Sequence, residues 1–124
     1  MKLKLSTIIL YVQNPARLKA FYKDVLALEV IEEDDIWIRL KAGDAYIGLH
    51  QIGNQYLCKI ASGHQFDNNT KIVFELEEDI NIVREKLLAL QVPMRDIKTF
   101  PNYDYWLCDG TDPEGNVFQL KQRK

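Results

Sequence analysis

The sequence predicts an α+β fold made of two βαβββ modules, and three observations carry that expectation. The order strand, helix and then three strand-like segments occurs twice along the 124 residues. Asn14-Pro15 and Val92-Pro93 punctuate the two helical patterns. Finally, Asp112-Pro113-Glu114-Gly115 has the residue order of a tight turn between two alternating stretches, which makes the C-terminus a hairpin.

Taken in order, residues 3–12 alternate as a strand, with Ile8, Leu10 and Val12 on one face and Thr7, Ile9 and Tyr11 on the other. Asn14 is placed to cap a helix whose first residue, Pro15, lacks an N–H that would be unpaired there in any case. Leu18, Phe21, Tyr22, Val25 and Leu26 form its apolar stripe. Strands follow at 28–32, 36–41 and 45–51, the last two joined by a turn at Ala42-Gly43-Asp44. Residues 53–69 are a long polar connection.

The second half repeats the plan. Residues 70–76 read as a strand with Ile72, Phe74 and Leu76 on one face, and 77–90 as a helix buried through Ile80, Val83, Leu87 and Leu90. A weak strand at 95–100 precedes the hairpin of 103–109 and 117–121. The expected organisation is a single domain, 1–124, with modules at about 1–52 and 70–124.

Composition narrows the function classes. With 47% apolar residues the chain has the material for a real core, while a net charge of −2 with mixed signs leaves no basic footprint for nucleic acid. No apolar run approaches the roughly 18 residues that a membrane span requires. The opening MKLKLSTIILYV lacks a small-residue cleavage site and runs straight into a helix cap, so a soluble, cytoplasmic protein is expected. Cys58 and Cys108 have neither CxxC nor zinc spacing and read as a reduced pair.

A sheet covered by one helix buries one face, and here that is the aliphatic one. The opposite faces, including Thr7, Trp37, Gly48, Lys71 and Gln119, must look elsewhere. The simplest arrangement is a pair of curved, mostly antiparallel sheets with helices outside and a concave cleft inside.

Two motifs carry a family resemblance over nearly the whole chain. NPARLKAFYKDVLAL is similar to the helix pattern D-x-x-x-S-x-x-F-Y-x-x-x-L-G, and DPEGNVFQL to D-P-D-G-N-x-x-E-L. On these the chain resembles the vicinal oxygen chelate superfamily, which includes glyoxalase I, bleomycin-resistance proteins and extradiol dioxygenases. Asn14, Lys19 and Ala27 stand where the pattern has Asp, Ser and Gly. Metal-dependent members hold a divalent ion at four strand positions, and the resemblance maps these to Thr7, Gly48, Lys71 and Gln119. That donor set is poor. Glycine has no ligand atom, a hydroxyl is weak, lysine repels a cation, and one amide cannot hold a transition metal alone.

The resemblance therefore implies a metal-free small-molecule-binding protein of the bleomycin-resistance type, with no metal and no cofactor. Alternation and the pairing of motifs line its cleft with Tyr11, Trp37, Arg39, Tyr46, His50, Lys71, Glu75, Trp106 and Gln119. The implied partner is a small aromatic or amphipathic molecule, and the implied assembly is a homodimer. The two tryptophans read equally as pocket wall and as interface cover. His50 reads first as a hydrogen-bonded side chain and second as a ligand or base. Lys71 and Glu75 read as a structural ion pair, and Arg39 with Lys71 as a site for an anion. Asp109, Asp112 and Glu114 are ascribed to the final turn, and Cys108 has nothing to activate it. The alternative is a metal-dependent lyase, isomerase or dioxygenase with relocated ligands such as His50 and Glu75.

Overall fold

The computed structural model describes residues 1–2 and 4–124, which form two compact units, Met1–His64 and Gln65–Lys124. The expected start of the first strand at Leu3 lies outside the described residues.

In the N-terminal unit the strands are β1 (Thr7–Val12), β2 (Glu29–Glu33), β3 (Trp37–Ala42) and β4 (Ala45–Gln51). They lie in the order β1-β4-β3-β2, with β1 parallel to β4 and the other pairs antiparallel. Leu10, Val12, Ile38, Leu40, Ile47 and Leu49 alternate onto one face and are buried together with Leu18, Phe21 and Tyr22 of the helix. That helix, α1 (Pro15–Ala20), opens as the sequence requires, with the Asn14 side chain accepting from the Arg17 N–H at 3.1 Å. It then widens into a π-type turn, Phe21–Val25. Ala27, where the family pattern has glycine, sits at φ 59°, a left-handed conformation that a Cβ disfavours. The polar connection is not wholly irregular, since Asn54–Leu57 forms a short helix, α2.

In the C-terminal unit β5 (Lys71–Leu76) is parallel to β7 (Val117–Arg123), which is antiparallel to β6 (Tyr105–Thr111). Both sheets are thus mixed, each with one parallel pair at an edge. The helix α3 (Ile80–Ala89) packs Ile80 and Leu87 onto this sheet. Asp79 caps its start, and the Gln122 side chain accepts from the Ile80 N–H at 2.7 Å. Its end is a Schellman motif around Gln91 at φ 63°, with Val92 N donating to Leu87 O and Gln91 N to Leu88 O. The reversal turns Leu90 out to solvent, 51% exposed, so its place on the buried stripe is corrected.

The weak strand expected at 95–100 is replaced by two isolated bridges, Met94 to Gly110 and Lys98 to Leu107. The cause lies in the carbonyl of Arg95, which accepts from Arg84 Nε at 2.8 Å and from the Cys108 thiol at 3.2 Å. Side chains take the group that a continuous ladder would need.

The final turn is a buried polar knot. Gly115 N donates to Asp112 O at 3.0 Å, and Gly115 adopts φ 88°. Asp112, only 3% exposed, accepts from Glu114 N, Asn116 N and Asn116 Nδ2 at 2.9–3.1 Å. The incoming chain is tied to the same turn, with Phe66 N donating to Glu114 O and Gln65 Nε2 to Pro113 O. Among the described residues, no helix is long and apolar enough to cross a membrane.

Asp112→Ala strands these buried donors and should cost about 3 kcal/mol in chemical denaturation. Ala27→Gly relieves a left-handed alanine and should stabilise the protein by about 1 kcal/mol.

Candidate functional site

The face of the N-terminal sheet away from α1 is built in cross-strand rows. Tyr11, His50 and Trp37 are partners across β1, β4 and β3, so three rings stand in one line. Ring centroids are 5.5 Å apart for Tyr11 and His50 and 6.0 Å for Trp37 and His50. The next row is Ile9, Gly48 and Arg39, and the one after is Thr7, Tyr46 and Lys41.

Side chains lean along the strands from row to row. The Trp37 indole lies over Gly48, where an added Cβ would come within 2.6 Å of Cζ3 and nearer still to Cη2. The Arg39 guanidinium lies over the Tyr46 ring, 4.5 Å from its centroid. Glu32 fastens both, its Oε2 accepting from Trp37 Nε1 at 3.0 Å and its Oε1 from Arg39 Nη2 at 2.6 Å. These two hydrogen bonds, that from Trp37 foremost, hold the Glu32 carboxyl below the usual carboxylate range.

Glu32 was not legible as a site residue. Strict alternation puts Ile31 opposite Arg39, but a bulge between Val30 and Glu32 shifts the register and brings Glu32 there instead.

On the corresponding face of the C-terminal sheet, Val73, Gln119 and Asp109 form one row and Glu75, Lys121 and Leu107 another. Asp109 is 4% exposed and holds this face together, accepting from Lys71 Nζ at 2.8 Å and Gln119 Nε2 at 2.7 Å. Burial pushes its carboxyl up, but the hydrogen bonds from Lys71 and Gln119 and the charge of Lys71 outweigh that and leave it lowered. Asp109 therefore belongs to this face and not to the turn, and the expected Lys71–Glu75 ion pair is replaced by Lys71–Asp109.

Trp106 is a second correction. It is the cross-strand partner of Gln122, whose side chain caps α3, so it stands on the helix side with Lys124 5.0 Å above its ring. The residue matching Trp37 in the repeat is Leu107, because Asp109 pairs with Gln119 as Arg39 pairs with Gly48. Counting back from the last turn, where Thr111 faces Val117, would have shown this. Cys108 shares the helix side, and burial pushes its thiol up.

The strand order, the parallel pairing that joins the first and last strands of each sheet, and the helix on one side complete the comparison of architectures. The chain superposes on a lactoylglutathione lyase from Agrobacterium tumefaciens with a TM-score of 0.74 and 18% identity, over 98% of this chain and 95% of that one. This is the vicinal oxygen chelate fold. It is shared with TnmS3, an antibiotic binding protein from Streptomyces sp. CB03234 (TM-score 0.76, 16% identity, 99% and 98% covered). It is shared too with the fosfomycin resistance protein FosX from Listeria monocytogenes (TM-score 0.72, 16% identity, 100% and 94% covered). No family model and no curated protein sequence matches the chain.

The positions at which metal-dependent proteins of this fold carry ligands do not fit a metal here. Gly48 offers no atom and is roofed by an indole, while the Lys71 ammonium and the Gln119 amide nitrogen both donate to Asp109. Among the described residues, no three His, Cys, Asp or Glu side chains gather where they could hold an ion.

The folded value of Asp109 lies below its unfolded one, so its stabilisation is complete above about pH 4 and is lost as pH falls through the folded value. Asp109→Asn should be less stable than the parent at neutral pH. In urea denaturation across a pH series, that gap should narrow on acidification below about pH 4.

Proposed function

We propose that this protein binds a small aromatic or amphipathic molecule without a resident metal, and that it does so as a homodimer. The observation that carries this reading is the ring row of Tyr11, His50 and Trp37, with the indole spread over Gly48 where the fold's metal-dependent members place a ligand. Tyr11 is 64% exposed and Ile9 46%, so the row borders an open apolar surface. Broad π surfaces with a few fixed polar groups suit stacking and shape recognition. The fold accommodates such a role, since one neighbour is an antibiotic binding protein, but lyase and resistance proteins share it as well. The reading therefore rests on the side chains.

A second reading follows from His50, which has one ring nitrogen uncommitted. In it the protein is a metal-dependent lyase, isomerase or dioxygenase with relocated ligands, His50 among them.

Tryptophan emission tests the first reading directly, because Trp37 and Trp106 stand on opposite sides of their sheets. Planar aromatic compounds should quench the emission of Trp106→Phe protein and leave that of Trp37→Phe protein unchanged. Trp37→Ala should weaken binding by about tenfold or more. Near-stoichiometric zinc, nickel, manganese or iron in protein purified without chelators would overturn the metal-free reading in favour of the second. Light scattering should give twice the 14.5 kDa chain mass, and a 14.5 kDa particle would refute the dimer.

A further inference from the structure

His50 Nδ1 lies 2.7 Å from Gln51 O. A carbonyl can only accept, so Nδ1 carries a proton, and in the Nδ1–H tautomer the ring turns a bare Nε2 lone pair outward. Among the described residues nothing donates to Nε2, and it is not among the buried polar atoms that lack a partner, so it remains open to solvent. On either side of it stand the rings of Tyr11 and Trp37.

The charged pair mounted beside the rings is already engaged. Both Glu32 oxygens are occupied, Arg39 is compensated by Glu32 and stacked on Tyr46, and Arg39 Nε is sealed from solvent. An anion would find Arg39 already compensated, and a cation would find both Glu32 oxygens already accepting. What the row offers is an acceptor between two π surfaces.

We propose that this face takes an uncharged planar ring bearing an N–H or O–H donor, which hydrogen-bonds to His50 Nε2 while stacking against Trp37 and Tyr11. The inference rests on the proposed small-molecule binding and names its ligand class, with His50 as the specificity-determining residue. The same arrangement speaks against the anionic ligand that Arg39 and Lys71 suggest by sequence, since Lys71 is likewise compensated, by Asp109.

The probes are 2-quinolone, its N-methyl derivative, which keeps shape and neutrality but lacks the donor, and quinoline-2-carboxylate, which adds a negative charge. Affinities are read from Trp37 emission in Trp106→Phe protein. For 2-quinolone, tighter binding than N-methyl-2-quinolone by about tenfold is expected, with the carboxylate weaker still. His50→Phe should bring the two neutral probes to equal affinity, and His50→Gln, which restores an acceptor, should recover part of the difference. Addition of 2-quinolone should move the ¹⁵N resonance of His50 Nε2 and leave Nδ1 nearly unchanged. Equal affinities for the two neutral probes in the parent protein, or preference for the carboxylate, would overturn the assignment to His50 while leaving small-molecule binding intact. Failure of all three probes to alter Trp37 emission would overturn both.

Discussion

Each sheet has a single helix to lie against, and that shortage shapes everything else in the molecule. One face of each sheet can be apolar and dry, as Leu10, Val12, Leu40 and Leu49 are in one unit and Phe118 and Leu120 in the other. Strand alternation then fixes the composition of the opposite face, and its polar groups must find partners among themselves. They do so in parallel ways. One carboxylate in each unit, Glu32 or Asp109, gathers two donors from other strands of its sheet. In each case one donor is the cation of an ion pair, Arg39 or Lys71. The repeat in sequence thus extends to electrostatics, although the acid comes from a different strand in each half.

This shared logic explains why the two faces differ in character. In the N-terminal sheet the carboxylate sits at the bulged strand and its donors include an indole, so the polar network doubles as a mount for an aromatic ring. In the C-terminal sheet the carboxylate stands at the end of its row, and the network is an ion pair with an amide. The first leaves π surface and a histidine nitrogen on display, whereas the second absorbs its own polarity.

Much of the fold was legible because the strongest signals are local. The helix start at Asn14, the chain reversals at Gly43 and Gly115, and the two-residue alternation depend on neighbours in sequence, and the structure reproduces them. What escaped depended on the pairing of distant strands. Glu32 reaches Arg39 only because a bulge absorbs Ile31. Trp106 was assigned by matching motifs when register decides the face, and Asp109 was ascribed to a turn two residues beyond it. The missing strand at 95–100 turned on one carbonyl claimed by Arg84 and Cys108, a contact between segments that no window of sequence contains.

The indole over Gly48 constrains what can stand at that position. A Cβ at position 48 would meet the ring, so any larger side chain there requires Trp37 to move aside. Replacing Trp37 by a smaller residue would instead take away the indole donor to one oxygen of Glu32. Positions 37, 48 and 32 are thereby interlocked, and a change at either of the first two is felt at the carboxylate.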